Sequence, residues 1–277
     1  DHQPPLYYLL ATPFYWIFQG SPRALRHVSL LFGGVSVIAL FLILREFWPE
    51  QPGIAWLGGG LAALIPQFVA TTSSINNDAL LFALLWIWLW LALRYLRGQT
   101  PAWVLGLVAG SVLLTKSTGY GVLPMIVLLI YLRQRRAGMP LQWALKEAMT
   151  MLLPALVIGG AWWLRNAVVY DWPDLMGLQR HNAVVTGQPR TADWISDKGL
   201  LTFLVDAIHT TFRSFWGQFG WMGVVLDARI YQGLAIFSLL TVTGALWRLV
   251  EALQRGMDAR QRDALILLGS SALITVV

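Results

Sequence analysis

The chain has 277 residues, 57% of them hydrophobic and only 12% charged, with a mean hydropathy of +0.59. Soluble domains carry about 25% charged residues, so this composition excludes disorder, collagen and an ordinary cytosolic enzyme and points to a polytopic membrane protein. The net charge of +6 does not indicate nucleic acid, because the basic residues lie between apolar runs, where membrane topology needs them.

There is no cysteine, hence no disulfide, thiolate metal site or cysteine nucleophile. Fifteen tryptophans suit membrane–water interfaces. The chain opens at Asp1 without an initiator Met or signal peptide and stops at Val277 inside an apolar run, so the expectation is a piece of a longer membrane protein.

In chain order, Pro4 to Gln19 is aromatic-rich and interrupted by Pro13. It reads as an interfacial helix closing a first extracytoplasmic loop over residues 1–20, with Pro4-Pro5 suited to a first helical turn. Apolar runs then predict helices over Ala24 to Phe47, Ile54 to Ala70, Ala79 to Leu96, Trp103 to Leu114, Tyr120 to Leu132, Met149 to Leu164, Ile230 to Leu249 and Ala264 to Val277. That is roughly eight membrane helices at ~20 residues per ~30 Å of hydrocarbon. The runs at Trp103 and Tyr120 are short and read as a hairpin beneath one membrane face. The runs are continuously apolar rather than alternating, which argues against strands. The expected fold is an all-α helical bundle forming one transmembrane domain over residues 1–277, with an extracytoplasmic loop insertion at 166–228.

The basic residues set the orientation. Arg45; Arg94 and Arg97; Arg133, Arg135, Arg136 and Lys146; and Arg248, Arg255, Arg260 and Arg262 fall in short connections on one face, which is expected to be cytoplasmic. The opposite face holds the N-terminal segment, Thr71 to Asp78, the turn at Lys116 and a loop from Arg165 to Arg229. That loop carries six aspartates and the cluster Arg180-His181-Asn182. A loop of about sixty residues is either a functional element or a solvated connector with short helices.

Four places on this face are chemical candidates. Lys116, in LLTKSTGYG, needs a counter-charge or a watery cavity if it enters the bilayer; it reads as an anion contact, most naturally for phosphate, or as a snorkelling lysine. In SSINND, Ser74 or Asn76 suits a helix N-cap, and Asp78 either offsets the helix dipole or serves as a polar site residue beside Asn77. Arg165 is an interface anchor or a second cation opposite Lys116. Phe212 to Met222 reads as a re-entrant or surface-lying aromatic turn. The histidines His2, His27, His181 and His209 show no metal-ligand spacing. No phosphate-binding Gly-rich loop or nucleophile elbow is present.

Taken together, PPLYYLL, LGLVAGSVLLTKSTGYGVLPMIVLL, SSINNDAL and SFWGQFGWM resemble the GT-C superfamily of membrane glycosyltransferases, which includes protein O-mannosyltransferases and lipid A aminoarabinose transferases. SSINNDAL and SFWGQFGWM are more similar to a bacterial branch. The resemblance spans roughly Asp1 to Ile230. It implies a multi-pass enzyme of the inner membrane that transfers a sugar from a polyprenyl-phosphate donor to an extracytoplasmic lipid, glycan or protein acceptor. It implies an acidic residue of the first outer loop as base, most often upstream of Asp1, with Asp1 and Asp78 as the acidic candidates here. Lys116, Arg165 and His2 become donor-phosphate contacts, and Asn77, Arg180 and His181 acceptor or loop contacts. Gln3 stands where aminoarabinose relatives carry a lysine. The partners implied are membrane lipid and the lipid-linked donor; no cofactor is specified, and a divalent metal is left open. Two alternatives stand beside this reading: a lipid-linked sugar transporter or flippase, which internal repeats and midplane polar residues would favour, and a non-catalytic scaffold of the same fold.

Overall fold

The computed structural model describes residues 3–187, 189–220 and 222–276. All eight apolar runs are helical. In order the helices are α1 (Leu6–Ile17), α2 (Pro22–Phe47), α3 (Pro52–Leu64), α4 (Pro66–Thr72), α5 (Asn77–Leu96), α6 (Ala102–Leu113), α7 (Val122–Ala137), α8 (Leu141–Val169), α9 (Leu178–Val184), α10 (Thr191–Lys198), α11 (Leu200–Trp216), α12 (Ala228–Arg255) and α13 (Ala259–Val276). A 3₁₀ turn, Ser117–Gly121, precedes α7, and a two-residue hairpin pairs Gln218–Phe219 with Val224–Val225. Among the described residues four helices, α2, α5, α8 and α12, are long and apolar enough to cross a membrane, fewer than the roughly eight expected, and α3 with α4 passes the same test only as a pair bent by 67°.

Three further expectations need correction. The run Ile54 to Ala70 is two helices, because Pro66 has no N–H to continue the ladder and restricts the residue before it. Pro13, by contrast, does not interrupt α1, which continues through it to Ile17. The span expected from Met149 starts at Leu141, so Lys146 and Glu147 lie on helix α8 rather than in a loop.

The chain divides into two compact units. The first comprises residues 1–63, 71–181 and 258–277. Its core is built from Trp88, Leu93, Leu105, Leu113, Ile126, Leu129, Met151 and Leu267, all nearly or wholly buried. Here α2 packs on α5, α6 on α8 and α13 on α7. The α6–α8 seam is made of small residues. A Cβ at Gly106 would lie 2.3 Å from the Met151 carbonyl oxygen, one at Gly110 2.8 Å from Ile158 Cβ, and one at Gly159 2.6 Å from Leu113 Cβ. The G-x-x-x-G spacing of Gly106 and Gly110 thus lets two backbones meet, as small-residue crossings do in membranes. Trp56, Leu57 and Val168 are at least 70% exposed, as expected where lipid rather than protein is the neighbour.

The second unit comprises residues 64–70 and 182–257. Tyr231, on α12, donates its hydroxyl to the Gly217 carbonyl at 2.6 Å and accepts from the Leu226 N–H at 3.1 Å, fixing the hairpin on the helix. Trp216 Nε1 donates to Ser238 Oγ at 3.2 Å, and Gln67 Oε1 accepts from the Gln218 N–H at 3.0 Å. The segment Phe212 to Met222, expected as an aromatic turn, is therefore the end of α11 followed by this hairpin.

Candidate functional site

The 20 residues of α5 span about 30 Å at 1.5 Å per residue, so its two ends mark two boundaries of the first unit. At its N-terminal end Asn76, in an extended conformation, caps the helix: its Oδ1 accepts from the Asp78 N–H at 3.0 Å. Ser74 instead donates to the Thr71 carbonyl. The cap leaves the Asp78 carboxylate free to face another element, and that element is the end of the α6–3₁₀ hairpin. Lys116 Nζ lies 2.6 Å from Asp78 Oδ1, with both side chains roughly three-quarters buried.

The residues around this pair are held from three sides. Asn77 is buried and donates to the Thr115 carbonyl at 3.4 Å. Thr115 is fully buried and returns its hydroxyl to the Ser111 carbonyl at 2.7 Å. From the third side, the Leu6 N–H donates to the Leu114 carbonyl at 3.0 Å, and fully buried Tyr7 shares a 2.7 Å hydrogen bond with Ser29 Oγ. The PPLYY segment, the SSINND cap and the LLTK turn, which lie far apart in sequence, therefore meet at one point. Gly119 closes the turn, since a Cβ there would fall 2.5 Å from Val112 Cγ1 and 2.8 Å from Leu81 Cδ1.

Arg165 sits elsewhere on the unit's α8. Its guanidinium stacks over Trp162 at 4.7 Å and Tyr170 at 5.0 Å and donates to Asn166 Oδ1 at 3.0 Å. Among the described residues no carboxylate pairs with Arg165, and its recorded contacts do not join it to Lys116 or Asp78. Two residues earlier, Trp163 Nε1 donates to the Tyr120 hydroxyl at 2.9 Å, tying α8 to the 3₁₀ turn.

Arg180 and His181 lie within α9, ahead of which buried Asp174 accepts from the N–H groups of Gln179 at 3.2 Å and Arg180 at 2.8 Å. Burial works against the Asp174 charge, but the backbone donors of Arg180, Gln179, Leu178 and Gly177 outweigh it and hold its pKa below the ordinary carboxylate value. The Arg180 side chain is exposed. Asp1 and His2 lie outside the described residues. Among the described residues no three His, Asp or Glu side chains are grouped to hold a metal ion.

In sequence Lys116 and Asp78 are separate candidates, and only the structure pairs them. The available signal was a pair of opposite charges at two turns assigned to one membrane face. Tyr7, Thr115 and Tyr120 gave no such signal, because their roles come from tertiary hydrogen bonds.

An all-α, multi-pass membrane protein, with a lysine–carboxylate pair where three distant segments converge, is thus defined by the fold and this end of it. The family model of dolichyl-phosphate-mannose-protein mannosyltransferases matches residues 2–163, more than half of the chain. The chain belongs to that family and is a membrane glycosyltransferase of the GT-C, mannosyltransferase type. No curated protein and no solved structure gives a significant match. The matched stretch contains the whole convergence around Lys116 and ends at Trp163; Arg165, Arg180 and His181 lie beyond it.

Proposed function

We propose that this protein transfers a sugar from a polyprenyl-phosphate donor to an extracytoplasmic acceptor, with the Lys116–Asp78 pair in contact with the reacting groups. The observation that carries the reading is the 2.6 Å pair held at the meeting point of three segments inside the family match. An ammonium has three N–H donors, and Asp78 Oδ1 takes one. The others are free in chemistry to meet a phosphate oxygen, whose negative charge grows as the anomeric C–O bond breaks; a fixed cation in a site of low dielectric stabilises that change. Asp78 holds the ammonium in place, and its second oxygen is suited to accept the proton of an acceptor hydroxyl as that oxygen bonds to the anomeric carbon. Arg165 is proposed as a further donor-phosphate contact, Asn77 as a support for the site, and Arg180 and His181 as acceptor contacts. His2 remains a donor-phosphate candidate and Asp1 a second acidic candidate. The excess of Arg and Lys at the other end of α5 supports an extracytoplasmic orientation for the Lys116 end; an inner-membrane location is part of the same proposal.

The transporter reading has less support, since the polar pair lies at the end of α5 and not at its middle. The test is titration of the protein in nanodiscs with polyprenyl phosphate, followed by tryptophan fluorescence. Lys116→Ala is expected to weaken binding about tenfold, equivalent to about 1.4 kcal/mol. Absence of binding by the wild-type protein would overturn the proposal.

A further inference from the structure

The opposite end of α5 carries a second charged arrangement that the transfer reaction does not use. There the helix ends in a Schellman motif: Gly98, at φ +75°, donates to the Tyr95 carbonyl at 2.9 Å, and the Gln99 N–H donates to the Arg94 carbonyl at 3.0 Å. Arg133, from the last turns of α7, donates Nη1 to the carbonyls of Tyr95 at 2.7 Å and Leu96 at 3.1 Å and lies 5.1 Å over the Tyr95 ring. Arg136, one turn on, reaches the Leu96 carbonyl at 3.4 Å. Arg97 is anchored by Glu46 on α2, to both the carboxylate and the backbone carbonyl. Together Arg97, Gly98, Gln99, Arg133 and Arg136 line a cavity of about 420 Å³.

Two features separate this cavity from the scattered basic residues that orient a membrane protein. The first is charge balance. Arg248 and Arg255 are largely exposed and share Glu251, whereas among the described residues no carboxylate pairs with Arg133 or Arg136. The second is rigidity. Arg133 is fixed by two carbonyls and a ring, so its remaining donors are already oriented. Guanidinium forks held in this way match phosphate oxygens, and basic pockets between membrane helices take lipid head groups.

We propose that this cavity binds a phosphate group, supplied by an anionic phospholipid head group, at the end of the bundle opposite Lys116. Exposed Tyr131, beneath Arg135 at 5.9 Å, supplies an interfacial aromatic on the same helix.

The test compares Arg136→Gln with Arg135→Gln. Both remove one charge from the same turn of α7, but Arg135 does not line the cavity, and among the described residues Arg136 makes one hydrogen bond, a long one of 3.4 Å, so neither change threatens the fold. The protein is placed in nanodiscs of phosphatidylcholine with increasing phosphatidylglycerol, and retained lipid is counted by native mass spectrometry. A parallel arm titrates inorganic phosphate into phosphatidylcholine discs and reads thermal stability. Arg136→Gln is expected to bind phosphatidylglycerol roughly tenfold more weakly, with Arg135→Gln like wild type. A phosphate response lost in Arg136→Gln, without lipid retention, would keep the phosphate site but overturn its lipid source. Equal losses in the two variants, or no selective retention and no phosphate response, would overturn the site.

Discussion

Neutralising Lys116 exposes how the Asp78 pair is balanced. At a separation of 2.6 Å the Coulomb attraction is about 6 kcal/mol at an effective dielectric of ~20 and about 1.6 kcal/mol at ~80. The two side chains leave 22% and 23% of their surface uncovered by protein, so partial screening and the cost of desolvating both charges remove much of this. A net coupling of about 1–3 kcal/mol is expected, between the values for exposed and fully buried pairs. The assay is a double-mutant cycle of Lys116→Met, Asp78→Asn and the double variant, read by thermal unfolding in nanodiscs. The double variant should be less destabilised than the sum of the single ones, because each single change strands one charge. The exchanged variant, Asp78→Lys with Lys116→Asp, should recover stability but not polyprenyl-phosphate binding, since the cation has moved to the other element. Additivity within about 0.5 kcal/mol would refute the coupling, and donor binding by the exchanged variant at the wild-type level would refute the need for the cation at position 116.

At the α6–α8 seam, Gly106→Ala must move a helix backbone by about 1 Å to relieve its 2.3 Å approach to Met151. This should destabilise by about 1–3 kcal/mol despite the better helix propensity of alanine. Gly60→Ala on α3, where nothing lies within 4 Å, should instead be neutral or stabilising by up to about 1 kcal/mol; equal effects in thermal unfolding would refute the packing argument. Asp174 gives a pH signature. Its folded pKa is lowered, so its contribution is fully present above the ordinary carboxylate pKa of about 3.9 and is lost as the pH falls below that through the folded value. Protection of the Gln179 and Arg180 amides from hydrogen exchange, corrected for intrinsic rates, should fall over that range in the wild-type protein. In Asp174→Asn it should be low and independent of pH.

The helices were legible in the sequence because a continuous apolar run has few alternatives once its backbone must be satisfied inside lipid. The helices α6 and α7 on either side of Lys116 were also visible as apolar runs. Helix ends were less legible: α8 begins at Leu141 because a helix can continue through Lys146 and Glu147 once Tyr95 donates its hydroxyl to the Glu147 carboxylate. Local chemistry also narrowed the α5 cap to Ser74 or Asn76, since a cap acts within its own turn, and the structure selects Asn76. Lys116 and Asp78 could each be picked out as a charge needing an explanation. Their partnership could not, because it depends on where residues 38 positions apart are brought by the α5–α6 packing. The same holds for Arg133, which looked like one more topogenic charge until the structure put it over the carbonyls that end α5. Composition and periodicity thus determined that this is a multi-pass helical protein and which residues carry charge into it. Tertiary packing decided which charges neutralise each other and which face an open cavity, because that depends on distances of a few ångströms between segments remote along the chain.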